Sequence, residues 1–277
     1  MKRVHVRSYP YMLSTAALSA ALSMLSPSVW AQAPAAQAPA AQAPAAAAPV
    51  VPAETPEQLL KRVDTQANAF KDATFRFKLR ILDPGGVRES EFTTQQKGAK
   101  RIVRFLSPAN VKGMGVLVEN ADTMYVLLPE FNNRVRRVGT HQAGQSFMGS
   151  DVSNEDMSLT EFLPTYEPSA AGTEGGLVVL LLKVRGNKPV EFPQLKLWIE
   201  PKDALITKLE YMDGKGTKLR TQERLEYTKD GATHKSPGKM VFTDHRKNHK
   251  TELVLISSQM DQGLSDDNFT QRALTRL

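Results

Sequence analysis

From Glu54 onward, the spacing of apolar residues defines the elements. Leu59, Leu60, Val63, Ala67 and Phe70 recur at helical intervals. Thr55, Pro56 and Gln58 stand before them as a hydroxyl cap, a proline at the first helical position and a capping-box glutamine. The spacing therefore predicts an amphipathic helix to about Phe70. Beyond it the period falls to two: Phe75, Phe77, Leu79 and Ile81 alternate with Thr74, Arg76, Lys78 and Arg80, a half-buried strand. Asp83-Pro84-Gly85-Gly86 turns the chain, and Val87 to Gln96 returns as a polar strand. Further strands are predicted at 100–106, 114–119, 123–128 and 134–138. After an irregular middle come 177–184, 195–200, 205–212, 217–227, 239–247 and 250–260, and then a short helix over 266–275. Short strands joined by turns such as Asp213-Gly214-Lys215-Gly216 imply a mainly β (α+β) fold built on one large, strongly curved antiparallel sheet.

Two of these strands show how the faces divide. Leu195, Leu197 and Ile199 fall on one face, with Lys196 and Glu200 on the other; Leu205, Leu209 and Tyr211 repeat the arrangement against Lys208 and Glu210. An antiparallel sheet with one apolar face must cover it. The chain offers the N-terminal helix, the segment near 140–165 and the C-terminal helix as cover. Either these plug a closed core, or an apolar cavity remains that a greasy ligand fills. The stretch from Gly139 to Pro164 holds Gly139, Gly144 and Gly149 as hinge candidates, and Phe147, Met148, Met157, Leu159, Phe162 and Leu163 among polar residues. So long a loop with so many large apolar side chains is either a lid with a greasy underside or a static plug.

Upstream of Glu54 the pattern differs in kind. A basic start (Lys2, Arg3, Arg7), an apolar run from Tyr11 to Leu25 and small residues at Val29 and Ala31 read as a secretory signal over residues 1–31. Residues 32–53 repeat Ala-Gln-Ala-Pro-Ala and read as a disordered linker, because regular prolines block a helix and nothing there can pack. The domain is then 54–277, in an exported compartment. At 41% hydrophobic and 23% charged, the chain can bury a substantial core. The formal charge of +7 overstates its basicity. Without Lys2, Arg3 and Arg7, 33 basic residues face 29 acidic ones, a balance of +4. That suits anionic head groups or an acidic partner and is too mild to argue for nucleic acid. Cysteine is absent, which excludes thiol catalysis, thiolate metal sites and lipidation of a cysteine at the cleavage point.

The scan for chemistry is mostly negative. Gly144-Gln145-Ser146 runs into Phe147-Met148 and is no nucleophile elbow, and no phosphate loop or dinucleotide fingerprint occurs. Asp244, His245 and His249 flank the turn Arg246-Lys247-Asn248 without a recognised metal-ligand spacing. Glu155-Asp156 reads as acids in the first turn of a helix capped by Ser153 rather than as an acid–base pair. No cofactor, metal or catalytic residue is expected.

Four runs carry a family resemblance: "VENADTMYVLLPEFNNRVRRV" (118–138), "GQSFMGSDVSNEDMS" (144–158), "LKLWIEPKDALITKLEYMDGKGTKLRT" (195–221) and "LSDDNFTQRAL" (264–274). Together they resemble the outer membrane lipoprotein-sorting protein family, within the superfamily of LolA/LolB-type lipoprotein carriers. The resemblance covers residues 55–277. It implies a half-open antiparallel β-barrel with helices as a lid over a hydrophobic cavity that takes acyl chains. Under it, Phe75, Phe77, Leu79, Phe105, Val116, Val118, Val126, Leu197, Ile199 and Leu209 are the expected cavity residues. Phe147, Met148, Met157 and Phe162 are the expected lid. Such carriers hold the lid with an arginine near the barrel mouth, for which Arg101 and Arg104 are both candidates.

The function expected on this basis is a non-enzymatic periplasmic carrier of lipid or lipoprotein acyl chains. Its partners would be an inner-membrane export permease or release complex and an outer-membrane acceptor. Arg134 and Arg136, which share a strand face, with Arg246 and Lys247, are the candidate docking charges; ordinary solvated edge charge is the alternative. Two other functions compete. One is a sensor of mislocalised lipoproteins on the same fold. The other is a periplasmic hydrolase, which needs a catalytic constellation the sequence does not offer.

Overall fold

The computed structural model describes residues 54–120, 123–128, 134–138, 145–247 and 249–276. The signal and linker expected at 1–31 and 32–53, and Gly139 and Gly144, lie outside them. Helix α1 (Pro56–Ala67) begins with the full capping box: the Thr55 hydroxyl accepts from the Gln58 amide, and the Gln58 side chain accepts from the Thr55 amide. It ends at Ala67 rather than Phe70. Asn68 leaves the helical conformation, and its side chain donates instead to the carbonyls of Asp64 and Thr160.

The strands are β1 (Ala73–Asp83), β2 (Gly86–Lys97), β3 (Lys100–Ser107), β4 (Gly115–Asn120), β5 (Thr123–Leu128) and β6 (Arg134–Val138), followed by helix α2 (Asn154–Ser158). Then come β7 (Tyr166–Glu174), β8 (Leu177–Val184), β9 (Gln194–Glu200), β10 (Leu205–Met212), β11 (Lys218–Lys229), β12 (Lys235–Asp244) and β13 (His249–Met260). All belong to one antiparallel sheet in the order β6-β5-β4-β3-β2-β1-β13-β12-β11-β10-β9-β8-β7. Two meanders, β1–β6 and β7–β13, are thus zipped together by pairing of the first and last strands.

β7 is a strand the sequence pattern misses. Its residues Tyr-Glu-Pro-Ser-Ala-Ala-Gly-Thr-Glu have no alternation, and only Tyr166 is buried. It is an edge strand held by β8 alone, so neither face needs an apolar row. In β10 a register shift between Ile206 and Lys208 puts Ile206 opposite Ile199 and Leu209 opposite Leu197. Ile206 therefore takes the core place expected for Leu205, which stays half-buried. The expected C-terminal helix is broken into a 3-10 turn (Asp266–Phe269) and a short α3 (Gln271–Leu274), because Thr270 is extended and caps α3 through its hydroxyl.

The sheet has free edges at β6 and β7, and it is neither closed nor strongly curled, which corrects the expected strong curvature. The physical reason is that its cover comes in patches, and on both faces. α1 supplies Leu59, Leu60 and Val63 to a core with Leu195, Leu197, Ile199, Ile206 and Leu209. Phe147 and Val152 pack on Leu79, Phe92, Val103, Phe105, Val116 and Val118. On the opposite face, Ile102, Leu117 and Leu127 pack beneath Phe269 and Leu274. A sheet sandwiched in this way need not curl to hide one apolar side.

Candidate functional site

Between α1, the 152–162 segment and strands of both meanders lies a cavity of about 270 Å³. Phe70, Phe75, Phe77, Phe92, Met240 and Phe242 are among the side chains of its apolar wall. Phe75 and Phe77 stack with ring centroids 5.9 Å apart, and Phe77 continues to Phe92 at 5.6 Å. This volume sits just below the roughly 300–1,000 Å³ usual for ligand sites.

The segment crossing the cavity is strapped by side chains that reach its backbone from both sides. Asp64 of α1 accepts from the amides of Phe162 and Leu163, each at 2.9 Å. Asn68 donates to the Thr160 carbonyl at 2.9 Å. From β3, Arg101 donates to the Met157 carbonyl at 2.7 Å and to the Gln96 side chain at 2.8 Å. Met157, Leu159 and Phe162 meanwhile line the cavity. Burial pushes the Asp64 carboxyl up to about 6 despite the two amides it accepts.

The preceding stretch is locked differently. Phe147 donates its amide to the Val152 carbonyl around a tight turn, with Met148 and Gly149 in the left-handed region. Asp151 accepts from the Thr251 hydroxyl and pairs with His249 at 2.7 Å. Arg220, 2% exposed, donates to the Asp151 carbonyl and to Asp156, both at 2.7 Å, and stacks over Tyr211 at 3.9 Å. Ser153 and Asp156 form the capping box of α2. Burial raises Glu191 to about 7, with Arg220 opposing the shift, and burial also raises Glu155.

The expected site residues therefore separate. Phe75 and Phe77 line the cavity. Leu79, Phe105, Val116, Val118 and Val126 belong to the core under Phe147, and Leu197, Ile199 and Leu209 to the core under α1. Of the expected lid, Met157 and Phe162 line the cavity, while Phe147 and Met148 pack into the β1–β5 core. The two arginine candidates lie at different places. Arg101 reaches the strap; Arg104 donates to the carbonyls of Ala273, Leu274 and Arg276 at the end of α3. Arg134 and Arg136 are exposed on edge strand β6, whereas Arg246 pairs with Asp244 at 2.7 Å beside Lys247 in the β12–β13 turn. Five strands lie between those two pairs. Among the described residues, no cluster of His, Cys, Asp or Glu is arranged to hold a metal. Arg220 and the wall residues Met240 and Phe242 escape sequence reasoning, since their partners lie far away in the chain.

Comparison with known proteins places this architecture. The family model described as "-like: Uncharacterized protein" matches residues 97–276, about two thirds of the chain. The chain belongs to that family. No curated protein matches it in sequence. Among solved structures it is similar to a Vibrio parahaemolyticus domain named for outer membrane lipoprotein sorting, at TM-score 0.74 and 21% identity over 79% of this chain and 98% of the other. A DUF1329 family protein from Desulfovibrio piger superposes with TM-score 0.73 at 25% identity, over 79% of this chain and 97% of that one. A LolA superfamily protein from Nitrosomonas europaea gives 0.68 at 18% identity, over 79% and 99%. The resemblance read from the sequence runs is thus matched by a likeness of fold.

Proposed function

We propose that the chain is a periplasmic carrier that shields acyl chains of lipids or lipoproteins on their way between the inner and outer membranes. Residues 1–31 serve as the export signal, 32–53 as a linker and 54–277 as the carrier domain. The observation that carries this reading is the apolar cavity of about 270 Å³, roofed by a segment held through side-chain bonds to its backbone, in a LolA-type fold. Burial is worth about 0.8 kcal/mol per methylene, so an acyl chain that moves the strap aside and threads along the wall binds without covalent chemistry. The strap acts as a lid over the open sheet: Asp64 and Asn68 hold it on the helix side and Arg101 on the β3 side. An inner-membrane export permease or release complex loads the carrier, and an outer-membrane acceptor unloads it.

The test is native mass spectrometry of the protein isolated from its own periplasm, followed by lipid extraction. Co-purifying acylated species are expected. A homogeneous, empty protein that also fails to bind fluorescent fatty-acid probes would sink the proposal.

A further inference from the structure

The cavity wall is mostly apolar, yet two guanidinium groups enter it. Arg101 and Arg224 both line the cavity, and among the described residues neither forms an ion pair. Arg101 donates only to neutral acceptors, the Met157 carbonyl and the Gln96 amide oxygen, and its buried Nε–H has no hydrogen-bond partner. Arg224 donates to the Gln222 amide oxygen, at 3.3 and 3.4 Å, and lies beside the Tyr227 hydroxyl, both neutral groups. The other charged wall residues are matched, Asp156 by Arg220 and Lys235 by Asp203, and the His234 ring is hydrogen-bonded to Asp230. Desolvation lowers the Arg101 guanidinium to about 10, so it remains charged at neutral pH. Two positive charges thus face a low-dielectric space without a counterion, an arrangement that costs free energy until an anion arrives. A bound oxyanion would exchange neutral acceptors for a charged one and form the shorter, stronger bonds of a guanidinium–oxyanion pair.

Resting on the carrier reading, we infer that the cavity selects a single-chain amphiphile with an anionic head, a carboxylate or a phosphate. The head pairs with Arg101, whose buried Nε–H is unpartnered, and the chain runs along Phe92, Phe77 and Phe75 on the neighbouring strands β2 and β1, in the direction of Arg224 on β11. One chain, rather than several, suits a cavity of about 270 Å³.

Calorimetric titration of the secreted chain with dodecanoate, dodecyl phosphate and dodecanol tests this directly. The two anions should bind about tenfold tighter than dodecanol, or more. Arg101→Gln should shrink the ratio of anion to dodecanol affinity, and Arg224→Gln should shrink it less. Arg101→Lys should restore part of it. Either order of the two anions supports the inference; tighter dodecanoate points to free fatty acids, tighter dodecyl phosphate to lysophospholipid-type cargo. If dodecanol binds as well as dodecanoate, the head-group inference falls and the carrier reading stands. If none of the three binds, both fall. Should a variant fail to fold, the head-group series on the unaltered protein still decides.

Discussion

Asp64 concentrates several roles in one side chain. It sits on the buried side of α1, is 7% exposed, and satisfies two strap amides that would otherwise be left unpaired. Burial raises its carboxyl to about 6 and that of Glu191 to about 7, both above their unfolded values of 3.8 and 4.5. A carboxyl that holds its proton more tightly when folded contributes stability that is complete below the unfolded value. That stability is lost as pH rises through the folded one. The melting temperature should therefore fall between about pH 4 and pH 7, with of order 2 kcal/mol at stake for Asp64. Asp64→Asn should flatten the lower part of that curve, and Glu191→Gln the upper part; an unchanged slope in both variants would contradict the assignment. Gly115 shows the opposite economy, a side chain that must be missing. A Cβ there would stand 2.7 Å from Leu274 Cδ1 and 3.2 Å from the Val103 carbonyl oxygen. Gly115→Ala should lower stability by about 1–3 kcal/mol through overpacking, read as a lower midpoint in urea.

At the scale of elements, the 145–165 segment has two differently fixed parts. The turn around Phe147 is packed into the core of β1–β5. Phe147 is 6% exposed, with its ring 5.7 Å from that of Phe105, and Asp151 ties the turn to β11 and β13. Phe147→Glu would put a carboxylate into this core and should cost ~2 kcal/mol or more of stability, with probe affinity falling in step. The strap over 157–163 rests on a few side-chain bonds instead. Asn68→Ala should cost about 1 kcal/mol but speed release of a fluorescent fatty acid, measured by stopped flow. Equal release rates in Asn68→Ala and the unaltered protein would leave the strap as static cover. On the far face, Arg104 donates to the last carbonyls of α3, where a cation also opposes the helix dipole. Arg104→Ala should loosen α3 and expose Ile102, Leu117 and Leu127, raising dye binding without touching cavity affinity.

For the whole molecule, charge and topology set how a membrane or partner is met. Arg134 and Arg136 lie on an edge strand, where charge also guards against pairing with another chain. Reversing both to Glu should weaken association with anionic vesicles, most clearly at low salt; unchanged binding at low salt would assign them to edge protection alone. Five strands separate β6 from β13, so reversal of Arg246 and Lys247 should act independently of Arg134 and Arg136.

What the chain determines locally was legible in the sequence. The capping boxes at Thr55 and Ser153, the strands at 123–128, 134–138, 177–184 and 205–212, and the inward row Leu195, Leu197, Ile199 follow from capping chemistry and a period of two, which neighbouring residues set among themselves. Of the ten residues expected as cavity wall only Phe75 and Phe77 line it, because being apolar and inward does not separate a wall from a core; Met157 and Phe162 of the expected lid and Arg101 reach it as well. Tertiary structure alone decided the rest. It made the polar 166–174 segment a strand by giving it an edge to pair with, and brought Ile206 rather than Leu205 inward through a register shift. It zipped β1 to β13, and it sent Arg101 to the strap and Arg104 to α3. Each of these depends on a partner far along the chain, and local preference carries no information about which distant group will be there to satisfy a backbone edge, a face or a charge.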